Sequence, residues 1–277
     1  MTSAAGYAEV IGDPIAHSRS PAIHKYWLKA LGLDFDYRAT RVARAELAAF
    51  VAGRRADPQW RGCNVTMPLK LDALMLADGA SDRAVAAGSA NILLPKDGAL
   101  LAGNTDVGAI LRLLAPLLAV EDRPGGITLL GNGGAARAVL AALHMLDVTN
   151  VRIQARNLAA ATKLAVQFGL EQQPARFDEP IRSGGLINAT PLGMAGFPPV
   201  RIDIGLMPAN GWVFDMVTDP VNTALLRSAA ERGLATIDGI AMLVEQAADS
   251  FALLFGRDAP RQSDDAMVAR LRELEPQ

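Results

Sequence analysis

The sequence predicts an α/β fold with a regular parallel sheet in its second half. Three observations carry that expectation. Short apolar strands alternate with helical stretches along most of the chain, which implies βαβ units and a parallel sheet. A glycine-rich turn, Gly131-Asn132-Gly133-Gly134, stands between an apolar strand and a helix. A chain of 277 residues, 51% of them hydrophobic, can bury a substantial core in two modest domains or one large one.

The elements follow in order. Tyr7–Gly12 reads as a strand, and Ser20–Leu31 as a helix with Pro21 suited to its first turn. Phe35–Arg41 reads as extended, Arg44–Gly53 as helical with a glycine stop, Gly62–Thr66 as a short strand and Leu69–Leu76 as a short helix. Ala90–Pro95 and Ala99–Gly103 flank Lys96-Asp97-Gly98, a turn signal that makes them a hairpin. Val107–Leu118 carries apolar residues at helical spacing. Asp122–Gly126 is the clearest loop and the best linker. Beyond it the pattern becomes regular. Strands are expected at Ile127–Leu130, Val151–Ala155, Gly185–Asn188, Trp212–Asp215 and Ala235–Ile237. Helices are expected at Ala135–Leu146, Leu158–Phe168, Asn222–Gly233 and Ile240–Phe255.

Composition excludes several function classes. With 27 Lys and Arg against 29 Asp and Glu, the net charge of −2 offers no basic excess for a nucleic acid. The single cysteine, Cys63, rules out an intramolecular disulfide, fits a reducing compartment and reads as a small buried hydrophobe. His17, His24 and His144 lack the spacing and companion ligands of a metal site, so no metal is expected. The first ten residues have neither the basic nor the apolar region of a signal peptide. No uncharged apolar run reaches the roughly 18 residues of a membrane span. The expectation is a cytoplasmic protein, monomer or homodimer, with no membrane or nucleic-acid partner.

The glycine turn is the sharpest local signal. From Gly131 the spacing is G-x-G-x-x-A, through Asn132, Gly133, Gly134 and Ala135 to Ala136, which is the dinucleotide fingerprint with alanine in its third slot. Gly131 permits the tight turn, Gly133 lets backbone approach a pyrophosphate, and helix N–H groups starting near Gly134 hold the anion. An NAD-binding unit places an acid at the end of the next strand to grip the ribose 2′-hydroxyl. Here Val151-Arg152-Ile153-Gln154-Ala155-Arg156 ends in a cation instead. A guanidinium at Arg156 suits the 2′-phosphate of NADP, with NAD left open; a solvated surface charge is the simpler alternative.

Short polar clusters in the first half do not look like packing. Ser18 and Ser20 lie beside a predicted helix N-terminus, a good place for a carboxylate, although Ser20 before Pro21 would also serve as a cap. Asn64 and Thr66 would share one face of their strand. Lys70 opens a short helix, where a cation is mildly unfavourable and therefore a functional candidate, or else a solvated lysine. Asp106 stands at the next helix start as a cap or as a partner of Lys70 in moving an alcohol proton.

In this order, GDPIAHSRSP (12–21), NVTMPLK (64–70), GNTD (103–106), GNGGAAR (131–137), INATPLGM (187–194) and DGIAMLVEQA (238–247) resemble the shikimate dehydrogenase family over roughly residues 7–256. The resemblance implies two domains around a cleft: a substrate domain (1–106) completed by C-terminal helices (239–277), and an inserted Rossmann-type NADP-binding domain (107–238). It implies that Ser18 and Ser20 hold the substrate carboxylate, that Asn64, Thr66, Asn91, Thr105 and Gln246 surround the ring hydroxyls, and that Lys70 and Asp106 form the catalytic pair. Asn188, Thr190 and Gly193 would line the nicotinamide side, with Met216 and Gly239 nearby. The implied reaction is reversible reduction of 3-dehydroshikimate to shikimate with NADPH, in aromatic amino acid biosynthesis.

Two departures keep alternatives open. Thr218 stands where the family carries a substrate-contacting tyrosine, and one phosphate-gripping arginine, Arg156, remains of two, with Ala160 in place of the other. A paralogous NAD(P)-dependent dehydrogenase of quinate or a related hydroxy acid is the alternative, and a non-catalytic dinucleotide-binding protein is a further one.

Overall fold

The computed structural model describes residues 6–120, 125–177 and 179–273. These divide into two compact units. One comprises the residues up to Gly108 and those from Leu243 on; the other runs from Ala109 to Met242.

The first unit contains β1 (Tyr7–Gly12), α1 (Ser20–Ala30), β2 (Asp36–Arg41), α2 (Leu47–Arg55), β3 (Trp60–Val65), α3 (Lys70–Leu76), β4 (Gly79–Ala80), α4 (Asp82–Ala87), β5 (Ile92–Lys96) and β6 (Ala99–Gly103). The chain leaves it along α5 (Thr105–Leu118). Its sheet has the order β2-β1-β3-β5-β6-β4. β1 lies parallel to β2 and β3, whereas β5 runs antiparallel to β3 and β6. All six residues of β1 are buried, as befits a parallel strand covered on both faces. The β5–β6 hairpin turns at Asp97 (φ 50°) and Gly98 (φ 80°), the paired positive φ of a tight two-residue turn.

Three sequence expectations are corrected in this unit. α2 does not stop at Gly53 but continues to Arg55. Its last turn is held from outside, because Arg54 Nε donates to Oε1 of the fully buried Glu9 at 2.7 Å. Ser20 does not cap α1. It is the first helical residue, Arg19 occupies the cap position, and no side chain caps the helix. Nor does Asp106 cap α5: Val107 N–H donates to Asn104 Oδ1 at 3.3 Å instead.

The second unit holds β7 (Ile127–Leu130), α6 (Gly134–Met145), β8 (Val151–Gln154), α7 (Leu158–Gln167), β9 (Gly185–Asn188), β10 (Trp212–Asp215), α8 (Ala224–Glu231) and β11 (Ala235–Ile237). Its five strands are all parallel, in the order β11-β10-β9-β7-β8. β8 and β9 lie on opposite sides of β7, so the direction of winding reverses there. In open α/β sheets a ligand crevice forms at that point, outside the carboxyl ends of the strands. Part of the expected linker Asp122–Gly126 lies outside the described residues. Residues on both sides of it belong to this second unit, so the chain crosses between units within α5.

α9 (Gly239–Phe255) returns the chain to the first unit, where α10 (Asp264–Glu273) follows. Neither α4 nor α10 was legible in the sequence. α10 docks through polar groups: Trp27 Nε1 donates to Asp264 Oδ1 at 2.9 Å, and Arg19 donates to the carbonyl of Leu271.

Candidate active site

Two helix starts bring the central pair together. β3 ends at Val65, and α3 opens on Lys70. The β5–β6 hairpin leads through Asn104 into α5, with Asp106 in its first turn, a position that favours a negative charge. Lys70 Nζ donates to Asp106 Oδ2 at 2.6 Å, and the two side chains are 15% and 7% exposed. The other carboxylate oxygen, Oδ1, accepts from Asn91 Nδ2 at 2.9 Å. A lysine with little solvent of its own and a carboxylate locked on both oxygens can hand a proton to a ligand in one fixed direction.

Asn91 is the hub of the surrounding network. Its Nδ2 also donates to Thr105 Oγ1 at 2.8 Å, and its Oδ1 accepts from Thr105 N–H at 2.8 Å. At 2% exposed, and with both amide hydrogens used inside the protein, Asn91 contributes by holding Asp106 and Thr105. Thr105 Oγ1 lies 3.0 Å from Ser250 Oγ and 3.5 Å from Gln246 Oε1, so α9 supplies one wall of the cluster. Asn64 Nδ2 donates to Ser250 Oγ at 2.8 Å and to the carbonyl of Asn91 at 3.3 Å. Its Oδ1 accepts from the Tyr37 hydroxyl at 2.7 Å.

The remaining first-unit candidates are less engaged. Thr66 is half-buried, and its hydroxyl makes no hydrogen bond among the described residues. Ser20 is 6% exposed and its N–H donates to Ser18 Oγ at 3.4 Å, which places both serines at the start of α1. Tyr37 and Ser250 escaped the sequence reading. Ser250 had a usable signal: it lies four residues after Gln246 on α9, hence on the same helical face. Tyr37 had none, since a tyrosine in a strand looks like core.

In the second unit the glycine turn sits at the reversal point. Gly131 has φ +103°, and a Cβ there would meet Thr190 Cγ2 at 2.9 Å and the Ala189 carbonyl at 3.2 Å. The loops after β7 and β9 therefore touch, and only glycine fits between them. Gly133 is the N-cap residue of α6, and nothing lies within 4 Å of the Cβ it lacks. That open approach to the first turn, Gly134 and Ala135, suits a pyrophosphate. Asn132 Nδ2 donates to the Asn157 carbonyl at 3.2 Å, tying the glycine turn to the loop after β8. Arg156 in that loop is exposed and makes no ion pair among the described residues, so its guanidinium remains free for a phosphate.

The loop after β9 is shaped by Asn188, which is fully buried. Its Oδ1 accepts from Thr190 Oγ1 at 2.7 Å and Thr190 N–H at 3.1 Å; its Nδ2 donates to Asp215 Oδ1 at 2.9 Å and the Leu192 carbonyl at 3.1 Å. Asn188 thus sets the loop's shape while Thr190 and Gly193 form its surface. Burial pushes the Asp215 carboxyl up from its usual value, against hydrogen bonds from Thr223, Val217 N–H and Asn188 that hold it down. Met216 N–H donates to the Asn188 carbonyl at 3.1 Å. At Gly239 a Cβ would sit 2.2 Å from the Val217 carbonyl, so this glycine lets α9 start against the Met216–Val217 backbone. Thr218 beside it is half-buried.

Among the described residues no cluster of three or more His, Cys, Asp or Glu side chains could hold a metal, and no helix is long and apolar enough to cross a membrane.

A parallel sheet with a glycine turn at its reversal point, together with a buried Lys–Asp pair set among hydroxyls and amides, defines a nicotinamide-dinucleotide oxidoreductase of the two-unit type. Comparison with known proteins narrows the class. Residues 10–93 match the shikimate dehydrogenase substrate binding domain, and residues 239–267 the shikimate 5′-dehydrogenase C-terminal domain. A shikimate dehydrogenase (NADP(+)) of Sphingopyxis alaskensis is 45% identical over 97% of both chains. The shikimate 5-dehydrogenase of Thermus thermophilus, solved with NADP(H) and shikimate, superposes with a TM-score of 0.84 at 32% identity, covering 96% of this chain and 99% of that one. A 5-ketofructose reductase of a Gluconobacter strain superposes with a TM-score of 0.78 at 28% identity, covering 97% and 98%. The chain belongs to the shikimate dehydrogenase family.

Proposed function

We propose that this chain catalyses the reversible, NADP-dependent reduction of 3-dehydroshikimate to shikimate, as a cytoplasmic enzyme of aromatic amino acid biosynthesis. The observation that carries the reading is the Lys70–Asp106 pair at 2.6 Å, set in the unit that matches the family's substrate-binding domain. Bound NADPH supplies the hydride. Lys70 donates the proton from Nζ to the carbonyl oxygen as it becomes an alcohol, and takes it back in the oxidation direction. Asp106 holds the ammonium in place through Oδ2 and offers its carboxylate to a neighbouring ring hydroxyl.

Ser18 and Ser20 at the start of α1 bind the substrate carboxylate. Thr66, Asn64, Thr105 and Gln246 bind the ring hydroxyls, with Asn91 holding Thr105 and Asp106. In the second unit Gly133, Gly134 and Ala135 receive the pyrophosphate, Asn132 and Arg156 frame the adenosine side, and Thr190, Gly193, Met216 and Gly239 shape the nicotinamide side. Arg156 favours NADP over NAD because a guanidinium binds the 2′-phosphate in bidentate fashion.

The test is an oxidation assay of shikimate or quinate with NADP or NAD, following the reduced nicotinamide. Turnover with shikimate and NADP well above the other three combinations is the expected result. A preference for quinate or NAD would move the chain to a paralogous role, with Thr218 as the first residue to revert. Dinucleotide binding without turnover in any combination would overturn the catalytic reading.

A further inference from the structure

We propose that Tyr37 and Ser250 are positioning residues that lock the side-chain amide of Asn64, so that it meets the substrate ring only as an acceptor for a hydroxyl. The proposal rests on the reading of Asn64 as a ring-binding residue.

A primary amide has two N–H donors and an oxygen with two lone pairs. Both donors of Asn64 are spent inside the protein, on Ser250 Oγ at 2.8 Å and the Asn91 carbonyl at 3.3 Å. One lone pair of Oδ1 is taken by the Tyr37 hydroxyl at 2.7 Å. What remains is a single lone pair. An amide flip would set the acceptor-only Asn91 carbonyl against the Asn64 oxygen and would oblige the Tyr37 and Ser250 hydroxyls to exchange donor and acceptor roles with it.

The two locking groups are themselves fixed. Tyr37 and Ser250 are both fully buried. The Tyr37 ring stacks on His24 with centroids 4.0 Å apart and planes within 3°. Burial raises the Tyr37 hydroxyl well above its usual pKa, so it stays a donor at any working pH. Ser250 Oγ is also 3.0 Å from Thr105 Oγ1, which ties the orientation of Asn64 to the segment carrying Asp106. Both residues act through Asn64 rather than by touching the substrate. A ring position carrying a carbonyl, or no oxygen at all, gains nothing from an acceptor, so this lock selects for a hydroxyl there.

The experiment compares Ser250→Ala and Tyr37→Phe with the wild type in steady-state oxidation of shikimate, and of shikimate analogues each lacking one ring hydroxyl. The expected result is a KM for shikimate raised about tenfold in each variant, the size of one lost buried hydrogen bond. kcat should stay within about threefold and KM for NADP unchanged, because the proton donor and the cofactor turn are intact. The variant penalty should fall below about twofold for the one analogue missing the hydroxyl that Asn64 accepts from, which is the pattern of coupled groups. An equal penalty on every analogue and on NADP would make both residues merely structural and overturn the proposal. So would an unchanged KM in whichever variant folds. If the wild type itself does not oxidise shikimate, the functional reading fails and this proposal falls with it. If the wild type is active and the variants match it, only the lock fails.

Discussion

Lys70 and Asp106 are 36 residues apart in sequence, yet Nζ and Oδ2 meet at 2.6 Å because Lys70 opens the helix that follows β3 and Asp106 lies in the first turn of the helix that follows β6, two strands of the same sheet. The lysine sits at the positive end of its helix dipole, where an isolated cation is disfavoured by a few tenths of a kcal/mol or more. The Asp106 carboxylate offsets that penalty. One buried carboxylate thus holds this cation in a helical position that is otherwise unfavourable for it.

Lys70→Ala should lower kcat by about 10²–10⁴-fold with little change in KM for shikimate, as expected for loss of a general acid–base group. Rapid-mixing turnover measurements decide this, and an unchanged kcat would remove its assigned role.

Arg156→Ala should raise KM for NADP and leave KM for NAD unaltered, since only NADP carries the 2′-phosphate that the exposed guanidinium would bind. Equal effects on the two cofactors would assign Arg156 to the solvated surface.

Gly131→Ala should abolish dinucleotide binding and lower stability by about 1–3 kcal/mol, because φ +103° is strained for alanine and its Cβ would lie 2.9 Å from Thr190 Cγ2. Calorimetric titration with NADP, alongside a denaturant melt, reads both. Wild-type affinity in this variant would show that the turn does not shape the cofactor site.

His24 makes stability depend on pH. Burial pushes its imidazole down to about 3, and neither ring nitrogen has a hydrogen-bond partner among the described residues. The unfolded chain binds a proton near pH 6.5 while the folded chain does not. The stabilisation from neutral His24 is therefore complete above about pH 6.5 and is lost as pH falls from there towards about 3, at about 1.4 kcal/mol per pH unit. His24→Phe keeps the stack on Tyr37 and removes this dependence. Urea melts at about pH 7 and about pH 5 should show the wild type losing about 2 kcal/mol more than the variant. Identical losses would mean that His24 gains a proton or a partner in the folded chain.

Much of the fold is legible in the order of residues alone. Gly185–Asn188 and Trp212–Asp215 were readable because strands buried on both faces are continuous apolar runs bounded by turn residues. The Asp97-Gly98 turn was readable because few residue pairs accept two positive φ values. α10 was not readable: its ends are polar and its docking bonds, from Trp27 and Arg19, come from residues more than two hundred positions away. The course of α2 past Gly53 depended likewise on Glu9, 45 residues from Arg54. In the site, ordered motifs marked Lys70, Asp106 and the glycine turn. They could not separate residues that face a ligand from residues that hold others still.

By itself, then, the sequence determined the kinds of group present and the order of the elements that carry them, because strand periodicity, turn chemistry and helix starts are local properties. Only the tertiary structure decided which of those groups are spent. Asn91 and Asn188 read as contact residues, yet their amide hydrogens are consumed inside the protein. Ser250 and Tyr37 stand in no sequence motif of the site, yet they set the orientation of Asn64. A hydrogen bond within the protein depends on where two distant segments cross, and no local pattern along the chain encodes that crossing.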